Sequence, residues 1–144
     1  MYIVSGCLLG LSCRYDGGSK GNSAVISYCK NHGNYCIVCP EQAGGLKAPR
    51  PPAERRAGGV FDREGKDVTL QFRRGAEASY EKAAARAAEL GEEIEYAILK
   101  ANSPSCGSGR IYDGTFSKVL TDGDGCFAEL LKEKGIRVIT EKEI

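Results

Sequence analysis

Tyr2-Ile3-Val4-Ser5-Gly6-Cys7 is a short run of apolar and β-branched residues that ends abruptly on glycine and cysteine. A run this short, bounded by a turn residue, reads as a buried strand leaving its sheet at Gly6. Residues 35–38 (Tyr-Cys-Ile-Val) repeat the pattern and close on Cys39-Pro40, where proline cannot continue a central ladder. Residues 94–100 form a third such run and residues 137–140 a fourth.

Helical patterns separate the strands. Asn22 offers an N-cap for a helix that ends near Gly33 and turns Val25, Ile26 and Cys29 inward. From Gln71 to Leu90, Phe72, Ala76, Ala83, Ala87 and Leu90 recur at spacings of three, four and seven, with Gly91 where a C-cap glycine belongs. Asp122 or Asp124 can start a last helix that packs Phe127, Leu130 and Leu131 before Gly135. Alternating strands and helices imply right-handed crossovers, so we expect an α/β domain of three layers around a mostly parallel sheet, Rossmann-like or flavodoxin-like. Two stretches carry no regular pattern. Residues 41–60 are rich in Gly, Pro and Arg and are expected to form a long loop facing substrate or partner, and residues 101–117 form a second, Gly/Ser-rich loop.

The 144 residues suit one domain spanning 1–144, since this length encloses one core. With 42% hydrophobic and 27% charged residues, and a net charge of +1, the composition is that of a globular protein without the basic footprint of a duplex-binding one. No apolar run approaches membrane-spanning length and the start has no basic leader, so no membrane association is expected and a cytoplasmic location is. Seven cysteines, an odd number, argue for reduced thiols rather than a disulfide framework.

In an open α/β sheet, ligands bind outside the carboxyl ends of the strands. Cys7, Cys39 and Cys106 each follow a strand and therefore fall on one rim. Cys29 and Cys126 fall on helices, Cys36 inside a strand and Cys13 in the first loop. Cys36 and Cys39 form a C-x-x-C pair, but on a strand positions i and i+3 point to opposite faces. His32 sits at a helix end, where a terminal polar residue is more ordinary than a ligand. Buried cysteines often pack simply as small hydrophobes. Three on one rim instead point to a metal centre, and thiolates favour iron–sulfur clusters. Three ligands leave one iron open as a Lewis acid, whereas Cys13 as a fourth would close the site into an electron carrier or structural plug.

Glu41, Asp16, Lys100 and Ser103 lie near this rim as candidates for proton transfer or charge stabilisation, although each also has an ordinary role as a turn former or surface charge. Arg50 and Arg55 are candidate anion anchors. Gly107-Ser108-Gly109-Arg110 is a candidate anion cradle, with Arg110 as its clamp.

Several motifs carry a closer resemblance: Ser5-Gly6-Cys7-Leu8-Leu9-Gly10, Cys13-Arg14-Tyr15-Asp16-Gly17-Gly18, and Val38-Cys39-Pro40-Glu41-Gln42-Ala43-Gly44-Gly45-Leu46. Pro49-Arg50-Pro51-Pro52-Ala53-Glu54, Leu99-Lys100-Ala101-Asn102-Ser103-Pro104-Ser105-Cys106-Gly107 and Gly109-Arg110-Ile111-Tyr112-Asp113-Gly114 continue it. In this order, over nearly the whole chain, they resemble the DUF523 family, whose members include thiouracil desulfurases. The resemblance implies an oxygen-sensitive [4Fe–4S] cluster on Cys7, Cys39 and Cys106, depleted or replaced by another metal in aerobic preparations. It also implies a small thiolated substrate whose sulfur is captured by the open iron, replaced by water and released as sulfide. Within that chemistry Glu41 is the candidate base, Lys100 or Ser103 would stabilise developing charge, and Asp16 is an alternative proton carrier. Arg50, Ser105, Gly107 and Arg110 are the candidate substrate or anion contacts. A non-catalytic iron–sulfur or electron-transfer module is the alternative. The chain is shorter than the longer desulfurases between Arg56 and Asp67, and with no tryptophan the stacking of a base would fall to Tyr15, Tyr112 or Phe116.

Overall fold

In a computed structural model covering residues 1–144, four parallel strands form the central sheet: β1 (Tyr2–Ser5), β2 (Tyr35–Val38), β5 (Tyr96–Leu99) and β8 (Arg137–Thr140). Their spatial order is β2-β1-β5-β8, with Tyr2 opposite both Tyr35 and Tyr96, and Tyr96 opposite Arg137. The chain steps outward from β1 to β2, then returns past β1 to β5, so its direction reverses between β1 and β5. This switch point is where an open α/β sheet leaves a crevice.

The sheet is buried on both faces, as parallel sheets are. On one face Ile3, Val38, Leu99 and Val138 pack with helices α3 (Thr69–Leu90) and α4 (Cys126–Glu133). On the other, Tyr2, Val4 and Ile98 pack with Val25 and Cys29 of α1 (Ser23–Asn31) and with Leu8. The three layers follow the expected plan. Asn22 caps α1 by accepting a hydrogen bond from the Val25 N–H at 3.1 Å, and Gly91 ends α3 at φ 67°, a left-handed conformation cheap only for glycine.

Three local differences stand out. Residues 41–60 are structured: α2 (Pro40–Ala43) is followed by an antiparallel hairpin, β3 (Ala53–Arg56) and β4 (Gly59–Asp62). Its Ala-Glu-Arg-Arg strand lacks strong apolar alternation, so local sequence could not announce it. The hairpin is fixed by Val60 packing on Val68 and Phe72. A second antiparallel pair, β6 (Arg110–Tyr112) with β7 (Leu120–Asp122), occupies part of the expected Gly/Ser loop and continues beyond it. Finally, α4 begins at Cys126 with Gly125 as its N-cap. Asp122 belongs to β7, and Asp124 is engaged elsewhere, accepting from the Gly109 N–H and Lys132 Nζ, both at 2.8 Å. No helix is long and apolar enough to cross a membrane.

Helix α2 is seated by an unusually close approach to α3. A Cβ on Gly75 would stand 1.7 Å from the Pro40 carbonyl oxygen, and one on Gly44 would stand 1.9 Å from the Gln71 carbonyl oxygen. Both contacts are backbone to backbone, so neither side can yield by rotating a side chain.

Candidate functional site

A cavity of 430 Å³ opens at the carboxyl ends of the sheet, walled by residues from the segments that follow β1, β2 and β5 and from both hairpins. Cys7 reaches it from the turn after β1, Cys39 from the residue before α2, and Cys106 from the loop after β5. Cys13 joins them from the first loop. Cys36 faces away into the α3/α4 core, as the strand argument requires of a residue three positions from Cys39. Cys29 packs in the α1 core, and Cys126 lies beside the Val60–Phe72 cluster. His32 stacks on Tyr28, with ring centroids 3.7 Å apart, and its Nδ1 bonds the Tyr28 carbonyl at 2.9 Å.

All seven cysteines are free. Three of the four cavity thiols have pKa values shifted upward. Cys39 is raised first by its hydrogen bond with Cys13 and then by burial. Cys106 is pushed up to about 12, chiefly by burial, against the pull of hydrogen bonds from Ser5 and Ser105. For Cys13 the bond to Cys39 acts downward, but the bond to Cys7 and burial outweigh it. These thiols are therefore neutral in the cluster-free chain, and binding a metal centre would displace their protons.

The donor set fits an iron–sulfur cluster. A cluster distributes its thiolates over separate irons, and Cys7, Cys13, Cys39 and Cys106 all line the one cavity. Four soft donors on one cavity, with no histidine among them, is a set suited to iron and sulfide.

Cys106 is held by a dense polar frame. Ser5 Oγ donates to its sulfur at 3.3 Å while accepting the Lys100 N–H at 3.0 Å. Ser103 Oγ accepts the backbone N–H groups of Ser105 and Cys106 at 3.1 and 2.9 Å. Ser105 Oγ lies 2.9 Å from Ser103 Oγ, donates to Glu41 Oε2 at 2.9 Å, and is 3.7 Å from the Cys106 sulfur. Ser5 escaped the sequence analysis because a serine inside a strand signals nothing; only the neighbouring strand brings it to Cys106. Replacing it with alanine would remove the bond to Cys106 and leave the half-buried Lys100 N–H without its acceptor, a loss of about 1–3 kcal/mol. A lowered urea midpoint at unchanged slope in the Ser5→Ala variant would show it.

Glu41 sits on α2, and Arg50 clamps its Oε1 through Nε at 3.2 Å and Nη2 at 3.0 Å. Arg50 Nη2 also donates to the Cys13 carbonyl at 2.9 Å and Nη1 to that of Lys47 at 3.0 Å. Arg50 is thus an organiser of the site whose guanidinium is already committed to Glu41 and two carbonyls. Arg55 is spent on the Asp124 carbonyl and the Glu129 carboxylate.

Other expected residues are placed differently. Lys100 borders the cavity, but its Nζ is bound to Glu141 at 2.7 Å and to the Ala101 carbonyl at 3.2 Å. Asp16 lies outside the cavity walls, accepting the Gly18 N–H and pairing with Arg14, and so acts as a turn former. The 107–110 anion cradle does not form. Gly107 spends its N–H on the Ser103 carbonyl, and Arg110 pairs with Asp122 on the exposed β6–β7 pair. The glycines there serve close packing rather than ligand binding.

Comparison with known proteins accords with this site. The family model described as 2-thiouracil desulfurase matches residues 2–143. The uncharacterized protein YbbK of Bacillus subtilis (strain 168) is 41% identical over an alignment covering 100% of this chain and 97% of its own. Among solved structures, the [4Fe-4S]-dependent thiouracil desulfidase TudS is 46% identical and superposes with a TM-score of 0.86, covering 99% of this chain and 91% of its own.

Proposed function

Since the chain belongs to the 2-thiouracil desulfurase family, we propose that it is a [4Fe–4S]-dependent desulfidase that converts the C=S group of a thiolated pyrimidine to C=O. Water provides the oxygen that bonds to the ring carbon, the C–S bond breaks with its electron pair on sulfur, and the two protons leave with the sulfide. No oxidant or reductant enters. The observation that carries this reading is the gathering of four thiols and a clamped carboxylate around one cavity. Cys7, Cys39 and Cys106 are the residues that would hold the cluster. Held by three thiolates, it would supply an open iron, a Lewis acid with affinity for soft sulfur.

The chain's own groups handle position and protons. Arg50 fixes Glu41 through Oε1, leaving Oε2 bonded only to the Ser105 hydroxyl. That hydroxyl has Ser103 Oγ as an alternative partner, so Glu41 Oε2 can be released to accept a proton from water entering the cavity. General-base help of this kind contributes about 10²–10⁴-fold. Lys100, held by Glu141, supports the rim of the site rather than the reacting ring. A reducing cytoplasm would suit a thiol-held, oxygen-sensitive centre of this kind.

Anaerobic reconstitution with iron and sulfide, followed by visible absorption and a sulfide-release assay on thiolated nucleobases, tests the reading. Broad absorption near the visible range with released sulfide is expected; a full cluster with no sulfide from any thiolated base overturns it. A closed, non-catalytic centre is the second reading, favoured by the contact of Cys13 with Cys7 and Cys39. Cys13→Ser separates the two. With an open site, iron content and sulfide release stay near wild type; loss of iron would make Cys13 a ligand.

A further inference from the structure

The cavity lining contains a buried carboxylate that the chemistry above leaves unused. Glu54, on β3, is only 8% exposed and borders the cavity. Its Oε1 accepts the backbone N–H groups of Gly114 and Phe116, at 2.9 and 3.2 Å. Its Oε2 makes no hydrogen bond, and Glu54 takes part in no ion pair. Only Tyr2 and Ser79 bury an unbonded side-chain oxygen completely, so Oε2 keeps accessible surface. The space Glu54 borders is the cavity.

Without a ligand, water can satisfy such an acceptor, and a ligand whose own N–H replaces that water keeps the bond, whereas one without the donor loses it. The same carboxylate holds Phe116, a residue of the cavity lining kept at φ 57°, unusual for a bulky residue, with the Arg63 guanidinium 5.9 Å from its ring centroid. Lys20, Arg63 and Lys118 border the cavity with no ion-pair partner. Their positive field disfavours a cationic ligand and leaves a neutral N–H as the donor suited to Oε2.

Resting on the desulfidase reading, we propose that Glu54 and Phe116 recognise the heterocycle: Phe116 stacks on the ring, and Glu54 Oε2 accepts a ring N–H. The preferred substrates are then planar thiolactams that keep a free ring N–H, and methylation of that nitrogen excludes them.

Glu54→Gln gives a sharp test. The amide oxygen must stay on the Gly114 and Phe116 N–H groups, since a flipped amide would set donor against donor. The new NH₂ group therefore faces the cavity as a donor where an acceptor stood. Binding of uracil, 1-methyluracil and 3-methyluracil to the reconstituted protein, measured by calorimetry, reads recognition without turnover. Wild type should bind one methyl isomer at least about tenfold more weakly than uracil. Glu54→Gln should weaken uracil about tenfold to a hundredfold and remove most of the difference between isomers, with an unchanged melting temperature. Unchanged uracil affinity in the variant, or equal binding of all three ligands by wild type, overturns the proposal. The wild-type series decides the matter even if the variant folds poorly. Normal uracil binding with no sulfide from 2-thiouracil would instead count against the catalytic reading alone.

Discussion

Glutamine at position 41 is expected to lower sulfide release by about 10²–10⁴-fold while leaving the iron content of the reconstituted protein unchanged. The substitution is nearly isosteric. Its amide oxygen can still accept from Arg50, which bonds the wild-type side chain through Oε1, and Ser105 retains Ser103 as a partner. What disappears is the capacity of Oε2 to take a proton. Because Glu41 stands two residues from Cys39, the metal content of each preparation must be measured beside its rate. Near-normal turnover with a full cluster would remove Glu41 from the role of base and move attention to a water network or another carboxylate on the cavity wall.

A larger effect on the whole molecule is expected from Gly75→Ala. The added methyl would lie 1.7 Å from the Pro40 oxygen and 2.8 Å from the Pro40 carbonyl carbon, far inside contact distance, so α2 and α3 must separate. Overpacking of this kind costs about 1–3 kcal/mol, and more where backbone opposes backbone. Activity should suffer beyond the loss of stability. Helix α2 carries Glu41 and begins beside Cys39, and a displacement of about 1 Å at a reacting group can cost roughly 10²-fold in rate. Urea unfolding and turnover measured at a temperature where the variant remains folded check the two halves separately. A wild-type melting temperature together with wild-type turnover would contradict the close approach described above.

The same helix shows why part of the site was hidden from sequence. Glu41 was recognisable as a polar residue next to a strand-exit cysteine, but Arg50 looked like a free anion anchor because nothing in the local sequence says that its guanidinium folds back onto Glu41. Lys100 looked free for a similar reason, since Glu141 is supplied by the segment after the last strand. Asp16 and the 107–110 segment erred in the other direction. Their glycines and acids carry real turn and packing information, which short motifs do not distinguish from ligand binding. The β3–β4 hairpin eluded the periodicity because its charged strand owes its position to contacts made elsewhere, Val60 on the α3 core and Glu54 on the β6–β7 loop.

Sequence by itself determined the three-layer α/β plan, the four parallel strands and the placement of Cys7, Cys39 and Cys106 at strand exits, because strand and helix periods are local and an open sheet sends its loops to one end. The ordered motifs also announced the family. Tertiary structure alone decided which charges are already paired, which hydroxyls hold Cys106, and that Glu54 keeps an acceptor free. Hydrogen-bond satisfaction depends on groups from distant segments meeting at about 3 Å, and no local pattern encodes such a meeting.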